Sequence, residues 1–250
     1  MRYRSPALLS ACAALVLAGC GEDSSSTPRL DVAAATSLKT ALTAASPRFD
    51  DATVRLSFAG SDQLAAQIRA GARPDVFAAA NTKLPAALAS EGLVEKPVEF
   101  ATNELVLAVP REGSAVSSIA DLAKPGVDIA IGAAAVPVGS YTRKVLGRLA
   151  PATRQRILDN VRSAEPDVGG IVGKLSQGAV DAGFVYVTDV NAANGLLRAI
   201  RLPAALQPRV AYGAAVVRGT EHEAAARRYV SDLANGTAAA ELRKAGFGRP

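Results

Sequence analysis

Two short stretches carry the hydroxyl groups best placed for chemistry. In 30–45 an apolar, strand-like run through Val32, Ala33, Ala34 and Ala35 meets Thr36-Ser37, after which Leu38, Ala41, Leu42 and Ala45 recur at i, i+3, i+4 and i+7, the spacing of one helix face. In 53–68, Val54, Leu56 and Phe58 alternate with polar residues, Ala59-Gly60-Ser61-Asp62 interrupts, and Leu64, Ala65 and Ile68 share a helix face. Each serine therefore stands where a strand becomes a helix. The first turn of a helix has N–H groups with no intrahelical acceptor and carries the positive end of the helix dipole, so a hydroxyl placed there helps to form a site for an anion. The turn Val136-Pro137-Val138-Gly139-Ser140 and the start of the helix after Asp167 are two more junctions of this kind, and all are expected to face one point. Taken singly, a serine at such a junction is more often an ordinary cap, and Tyr186 in an apolar strand an ordinary core aromatic.

Other chemistries lack their residues. There is one His and there are two Cys in 250 residues, and no Gly-x-Ser-x-Gly turn, so neither a nucleophile with its base nor a metal cluster can be assembled. His222 falls on the polar face of a late helix and is expected to be solvated, while Asp75 and Asp189 are expected to cap or bridge structure. The net charge is +5, the basic residues are scattered, and there is no Trp, which argues against a nucleic-acid surface built on stacking and clustered cations. No internal repeat points to an adhesive or scaffold protein.

The amino terminus reads as an export signal. Arg2 and Arg4 are followed by an almost wholly apolar run from 6 to 16 and by Leu17-Ala18-Gly19-Cys20, a lipobox in which the Cys20 thiol takes a lipid before cleavage. The run is too short to span a bilayer, which takes ~20 apolar residues. Residues 1–20 are thus a lipoprotein signal and 21–29 a flexible polar tether. With Cys12 removed and Cys20 lipidated, no thiol remains for disulfides, and the net charge falls to +3.

About 230 residues remain, nearly half of them hydrophobic, enough for one large domain or two small ones. Strands are expected at 30–35, 53–58, 75–80, 103–109, 127–131, 182–187, 197–202 and 210–217, with helices between them and two more at 221–234 and 237–245. This alternation argues an α/β fold with parallel-rich sheets. The long apolar strands at 103–109 and 210–217 bracket the middle third and suit a double crossover between two lobes, with a ligand cleft between the lobes.

Ala33-Ala34-Ala35-Thr36-Ser37-Leu38, Phe58-Ala59-Gly60-Ser61-Asp62-Gln63-Leu64, Gly71-Ala72-Arg73-Pro74-Asp75-Val76-Phe77, Val136-Pro137-Val138-Gly139 and Val185-Tyr186 occur in that order. So arranged, the chain resembles the molybdate-binding component of ABC-type molybdate importers, a family with the type II periplasmic-binding-protein fold, over roughly 30–247. The resemblance implies lobe 1 at 30–105 and 212–250, lobe 2 at 106–211, and an interlobe cleft. It implies an oxyanion site made of the hydroxyl and N–H of Ser37, the same pair from Ser61, the N–H groups of Val138 and Val168, and the phenol of Tyr186. It also implies a monomeric, non-enzymatic carrier without cofactor. Such a carrier would be lipid-anchored on the extracytoplasmic side of the cell membrane and would hand molybdate, and tungstate with it, to a membrane permease. Molybdenum would enter only as the oxyanion, with no direct protein–metal ligand; a sulfate- or phosphate-binding protein of the same fold is the alternative. Thr36 and Asp62 depart from the family pattern, the first adding a hydroxyl and the second a carboxylate near the site. Independently of the family, a tetrahedral dianion only accepts hydrogen bonds, so a pocket of donors with few acceptors suits it.

Overall fold

The computed structural model describes residues 27–250; the signal segment, Cys20 and the tether up to residue 26 lie outside the described residues. In chain order the elements are β1 (Arg29–Ala35), α1 (Lys39–Ala45), β2 (Thr53–Ala59), α2 (Ser61–Arg69), β3 (Val76–Ala79), α3 (Lys83–Ser90), β4 (Val98–Asn103) and β5 (Leu105–Pro110). Next come β6 (Ile129–Gly132), α4 (Pro137–Gly147), α5 (Pro151–Asp159), β7 (Val161–Glu165), α6 (Val168–Ser176), β8 (Ala182–Tyr186), α7 (Val187–Ala192) and β9 (Leu197–Arg201). The chain closes with β10 (Val210–Val216), α8 (Glu223–Asn235) and α9 (Thr237–Ala245). Arg29, expected in the tether, already pairs with Thr53 in β1.

Two five-stranded sheets result, ordered β2-β1-β3-β10-β4 and β7-β6-β8-β5-β9, and together they make a two-lobed α/β fold. In the first, β1 runs parallel to β2 and β3, while β10 is antiparallel to β3 and β4. In the second, β6 runs parallel to β7 and β8, while β5 is antiparallel to β8 and β9. The sheets are therefore mixed, with four of the five strands in each pointing the same way, as the parallel-rich expectation has it, and one, β10 or β5, reversed. The reason is that β5 and β10, the strands that follow the two crossings between sheets, enter without a preceding βαβ turn.

The strand expected at 103–109 is β5 from Leu105, while Asn103 ends β4 in the other sheet. Asn103 Oδ1 accepts the Glu104 N–H at 2.8 Å, and the chain turns there from the first sheet into the second. β4 and β7 were not legible in the sequence. Both are edge strands, and in β7 the residues alternate between partial and full exposure, so no apolar stripe marks it.

Alternation with period 2 sorts the first sheet's side chains. Ala33, Phe77, Ala79 and Ala215 pack with Leu64, Ala65 and Ile68 of α2 and Leu88 of α3. Val32, Ala34, Val76, Ala78 and Ala214 belong to the larger core that includes Leu38 and Leu42 beside α1 and Tyr229 and Leu233 of α8. Leu30, Leu38 and Leu42 are fully buried, each stabilising the fold by about 2 kcal/mol through burial. The carboxyl-terminal helices return to this lobe, α9 packing on α1 and α8 on β4 and β10.

Asp75 and Asp189 bridge structure as expected. Asp75 accepts the Asp31 N–H and the Thr220 hydroxyl. The expectation that His222 is merely solvated fails: its Nδ1 lies 3.2 Å from Asp75 Oδ1, because the turn before α8 folds back on β3. Asp189 accepts the Tyr186 N–H at 2.8 Å and so caps α7. Burial pushes its carboxyl up to about 7, from an ordinary 3.8, against the lowering effect of that N–H. Between these two values the folded chain holds a proton that the unfolded chain has lost, so stability falls as pH rises, by up to roughly 1.4 kcal/mol per pH unit. Asp189→Asn keeps an acceptor for the Tyr186 N–H and is expected to remove this slope. Urea denaturation at pH 5 and pH 8 checks it: the variant gains on the wild type at the higher pH.

Candidate functional site

The parallel strands of both sheets end at one place. β1 ends at Ala35 and leads through a single 3-10 turn at Thr36–Leu38 into α1, and β2 ends at Ala59 and leads through Gly60 into α2. From the other sheet, β6 leads to the start of α4, β7 to the start of α6, and β8 ends in Tyr186. Between these ends lies a cavity lined by Thr36, Ser37, Ser61, Val138, Val168 and Tyr186, with Ala35, Ala59, Gly60, Ala80, Val136, Pro137 and Asp167 completing the wall. Ligands of open α/β sheets gather at such carboxyl ends. The cavity holds about 20 Å³ of room for the centres of water-sized atoms. One water needs about 10–15 Å³ on this measure, and four oxygen centres in a tetrahedron span only a few cubic ångströms.

All five residues singled out from the sequence for an anion thus line one cavity, and all are buried. Each brings a donor. Ser61 starts α2, Val138 lies in the first turn of α4 and Val168 begins α6, so their N–H groups have no acceptor within their helices. The N-cap carboxylate of Asp167 accepts from Gly169 N–H at 2.7 Å and Gly170 N–H at 3.2 Å, which leaves the Val168 N–H as the donor of that turn facing the cavity. The Tyr186 hydroxyl is buried and has no hydrogen-bond partner. Burial raises its pKa well above 10, with help from Tyr212, Tyr141 and Asp189, so the phenol stays a neutral donor.

Neither Lys nor Arg lines the cavity. Its positive potential comes from helix starts alone. Lys39 and Lys244 flank a separate groove of about 350 Å³ that shares Thr36, Ser37 and Val168 with it. Asp62, feared from the sequence as a carboxylate beside the anion, is absent from the lining; its Oδ1 sits against Gly60.

Close approach of backbone shapes the walls. A Cβ on Gly139 would stand 1.9 Å from the Ala133 carbonyl oxygen, and one on Gly60 would stand 2.5 Å from that of Pro166. Gly139 lets α4 begin against the end of β6, which brings the Val138 N–H to the cavity. Gly60 lets the α2 side of the wall touch the loop before α6. A Cβ on Gly169 would stand 3.0 Å from the Thr36 methyl, a second close approach between elements of the two sheets, here at the neighbouring groove that both residues line.

Sequence reasoning missed the groups behind the donors. The Ala80 N–H donates to Ser61 Oγ at 3.1 Å, and the hydroxyls of Ser37 and Tyr212 are 3.0 Å apart. Neither partner carries a signal of its own: Ala80 contributes only backbone, and Tyr212 reads as one more apolar residue of a buried strand.

Comparison with known proteins agrees with this geometry. Residues 30–248 match the family model described as bacterial extracellular solute-binding protein. The chain is 33% identical to the molybdate-binding protein ModA of Mycobacterium tuberculosis, with 98% of each chain covered. Among solved structures it is similar to the periplasmic molybdate-binding protein of Azotobacter vinelandii, with a TM-score of 0.77 and 26% identity over 88% of this chain and 99% of that one. The sulfate-binding protein SubI of Mycobacterium tuberculosis shares the fold at a TM-score of 0.74 and 17% identity, over 88% of this chain and 86% of that one. With strand ends and helix starts converging on one donor-lined cavity, the chain belongs to the bacterial extracellular solute-binding proteins.

Proposed function

We propose that this protein binds molybdate, and tungstate with it, in the cavity between the two sheets and delivers it to an ABC permease. The observation that carries this reading is the Tyr186 hydroxyl, buried without a partner on a residue that lines one cavity together with first-turn residues of three helices. A buried donor left unsatisfied costs about 1–3 kcal/mol, and an oxyanion removes that cost. The ligands of the ion are the hydroxyl and N–H of Ser37 and of Ser61, the N–H groups of Val138 and Val168, and the Tyr186 phenol. No protein atom bonds the metal. The family supports a carrier of a small solute, and the 33% identical molybdate-binding relative supports the choice of ion.

Neutral donors suit a carrier. A fixed Lys or Arg would have to be desolvated with the ion, and the complex would release slowly. With lobes at 30–105 and 212–250 against 106–211, the ion bridges both and favours their closed arrangement. The monomer is held at the membrane by lipid on Cys20, with 21–28 as its tether, on the extracytoplasmic side. No described helix is long and apolar enough to cross a membrane.

A thermal-shift and calorimetry panel of molybdate, tungstate, sulfate, phosphate and chromate tests the ligand. Molybdate and tungstate are expected to raise the melting temperature by several degrees, since saturation at 100 times Kd adds about 2.7 kcal/mol. Tyr186→Phe, which removes one hydrogen bond to a charged group, is expected to weaken molybdate binding about tenfold or more. Tight sulfate binding without a molybdate response would overturn the reading. For the anchor, the wild-type chain expressed in a bacterium is expected to partition into the detergent phase of Triton X-114. Cys20→Ala should leave that phase or persist at precursor mass, and equal partitioning of both mature forms would exclude lipid at Cys20.

A further inference from the structure

We infer that Tyr212 is a positioning residue for the oxyanion, fixing the direction in which the Ser37 hydroxyl carries its proton; this rests on the reading of the cavity as an oxyanion site. The Tyr212 phenol is fully buried on β10, at a bulge where the pairing with β4 shifts register between Tyr212 and Gly213. Here the hydroxyl lies 3.0 Å from Ser37 Oγ and 3.4 Å from Asn103 Nδ2.

The orientation of the Asn103 amide follows from its neighbours. Its Oδ1 accepts the Glu104 N–H at 2.8 Å, so its NH₂ group is the end that faces the Thr188 hydroxyl at 2.9 Å and Tyr212. An amide nitrogen only donates. Tyr212 oxygen therefore receives that proton, and its own proton has Ser37 Oγ as the acceptor within reach, because Asn103 Nδ2 cannot accept. Ser37 has then filled its inward acceptor direction, and its proton is left for the cavity. Burial keeps the Tyr212 phenol protonated well beyond pH 10. The Ala80 N–H polarises Ser61 in the same sense, by donating to its Oγ at 3.1 Å.

The consequence concerns which anions fit. A fully deprotonated dianion offers acceptors on every oxygen, whereas an oxyanion that still carries a proton needs an acceptor in the wall for it. With Tyr212 donating to Ser37, one of the two lone pairs on Ser37 Oγ is taken and its proton is free for the anion, so Ser37 is biased toward donating. Without the phenol hydroxyl, the Ser37 proton can turn inward or outward, and preorganisation toward the dianion is lost.

The test is a double-mutant cycle read by calorimetry with molybdate on wild type, Tyr212→Phe, Ser37→Ala and the pair. Tyr212→Phe is expected to weaken binding about five- to tenfold, the worth of one neutral hydrogen bond. In the Ser37→Ala background it is expected to add nothing, an outcome that a purely structural role for Tyr212 would not produce. Asn103→Ala provides a second variant should Tyr212→Phe fold poorly, with a smaller loss that is also silent once Ser37 is gone. A Tyr212→Phe that binds as wild type, or costs the same in both backgrounds while Ser37→Ala still weakens binding, would overturn the relay and leave the oxyanion reading intact. A wild type that gives no heat with molybdate would instead remove the oxyanion reading beneath it.

Discussion

Hydrogen-bond donors that the fold cannot satisfy by itself are the constraint on which this molecule is organised. Helix geometry leaves the first N–H groups of α2, α4 and α6 without partners, and the Tyr186 hydroxyl is buried among them with none. Elsewhere the same need is met internally, as where Asp167 takes the N–H groups of Gly169 and Gly170. In the cavity it is not met. Such a concentration of donors is costly when buried without acceptors, the one carboxylate in the wall, Asp167, being engaged by Gly169 and Gly170, and an anion is what relieves it.

The mixed sheets explain how donors from distant parts of the chain reach one point. In each lobe the three parallel strands, β2-β1-β3 and β7-β6-β8, end on the same side, and the turn after a parallel strand leads into a helix whose amino end faces the strand's carboxyl end. Two lobes set with these sides together put four such turns around one volume. The antiparallel β5 and β10 complete the sheets, and β10 adds Tyr212 behind Ser37. Small residues make the approach close enough. Ala35, Ala59 and Ala80 line the cavity without filling it, and Gly60 and Gly139 admit backbone where any Cβ would collide.

Direction matters as much as position. A serine hydroxyl can donate or accept, and a site meant for an acceptor-only ion gains selectivity when that choice is made in advance. Both cavity serines have protein groups in contact with their oxygens, the Ala80 N–H for Ser61 and the Tyr212 hydroxyl for Ser37. The phenols of Tyr186 and Tyr212 are held neutral by burial, so they keep their protons across ordinary pH.

What the amino-acid sequence determined by itself was local. The change from period 2 to period 3.6 at Ser37 and Ser61, the cap at Asp167 and the turn ahead of Val138 are each written within about ten residues, and so the strand ends and helix starts of the site were legible, as was the two-lobed α/β class. The edge strands β4 and β7 were not, because an edge exposed on one side needs no apolar stripe. Nor were the pairing directions of β5 and β10, which depend on where the chain crosses between sheets. Only the tertiary structure decided that His222 meets Asp75 across 147 positions and Ser37 meets Tyr212 across 175. A hydrogen bond depends on distance and angle in space, and no pattern along the chain encodes which buried hydroxyl will lie behind which serine.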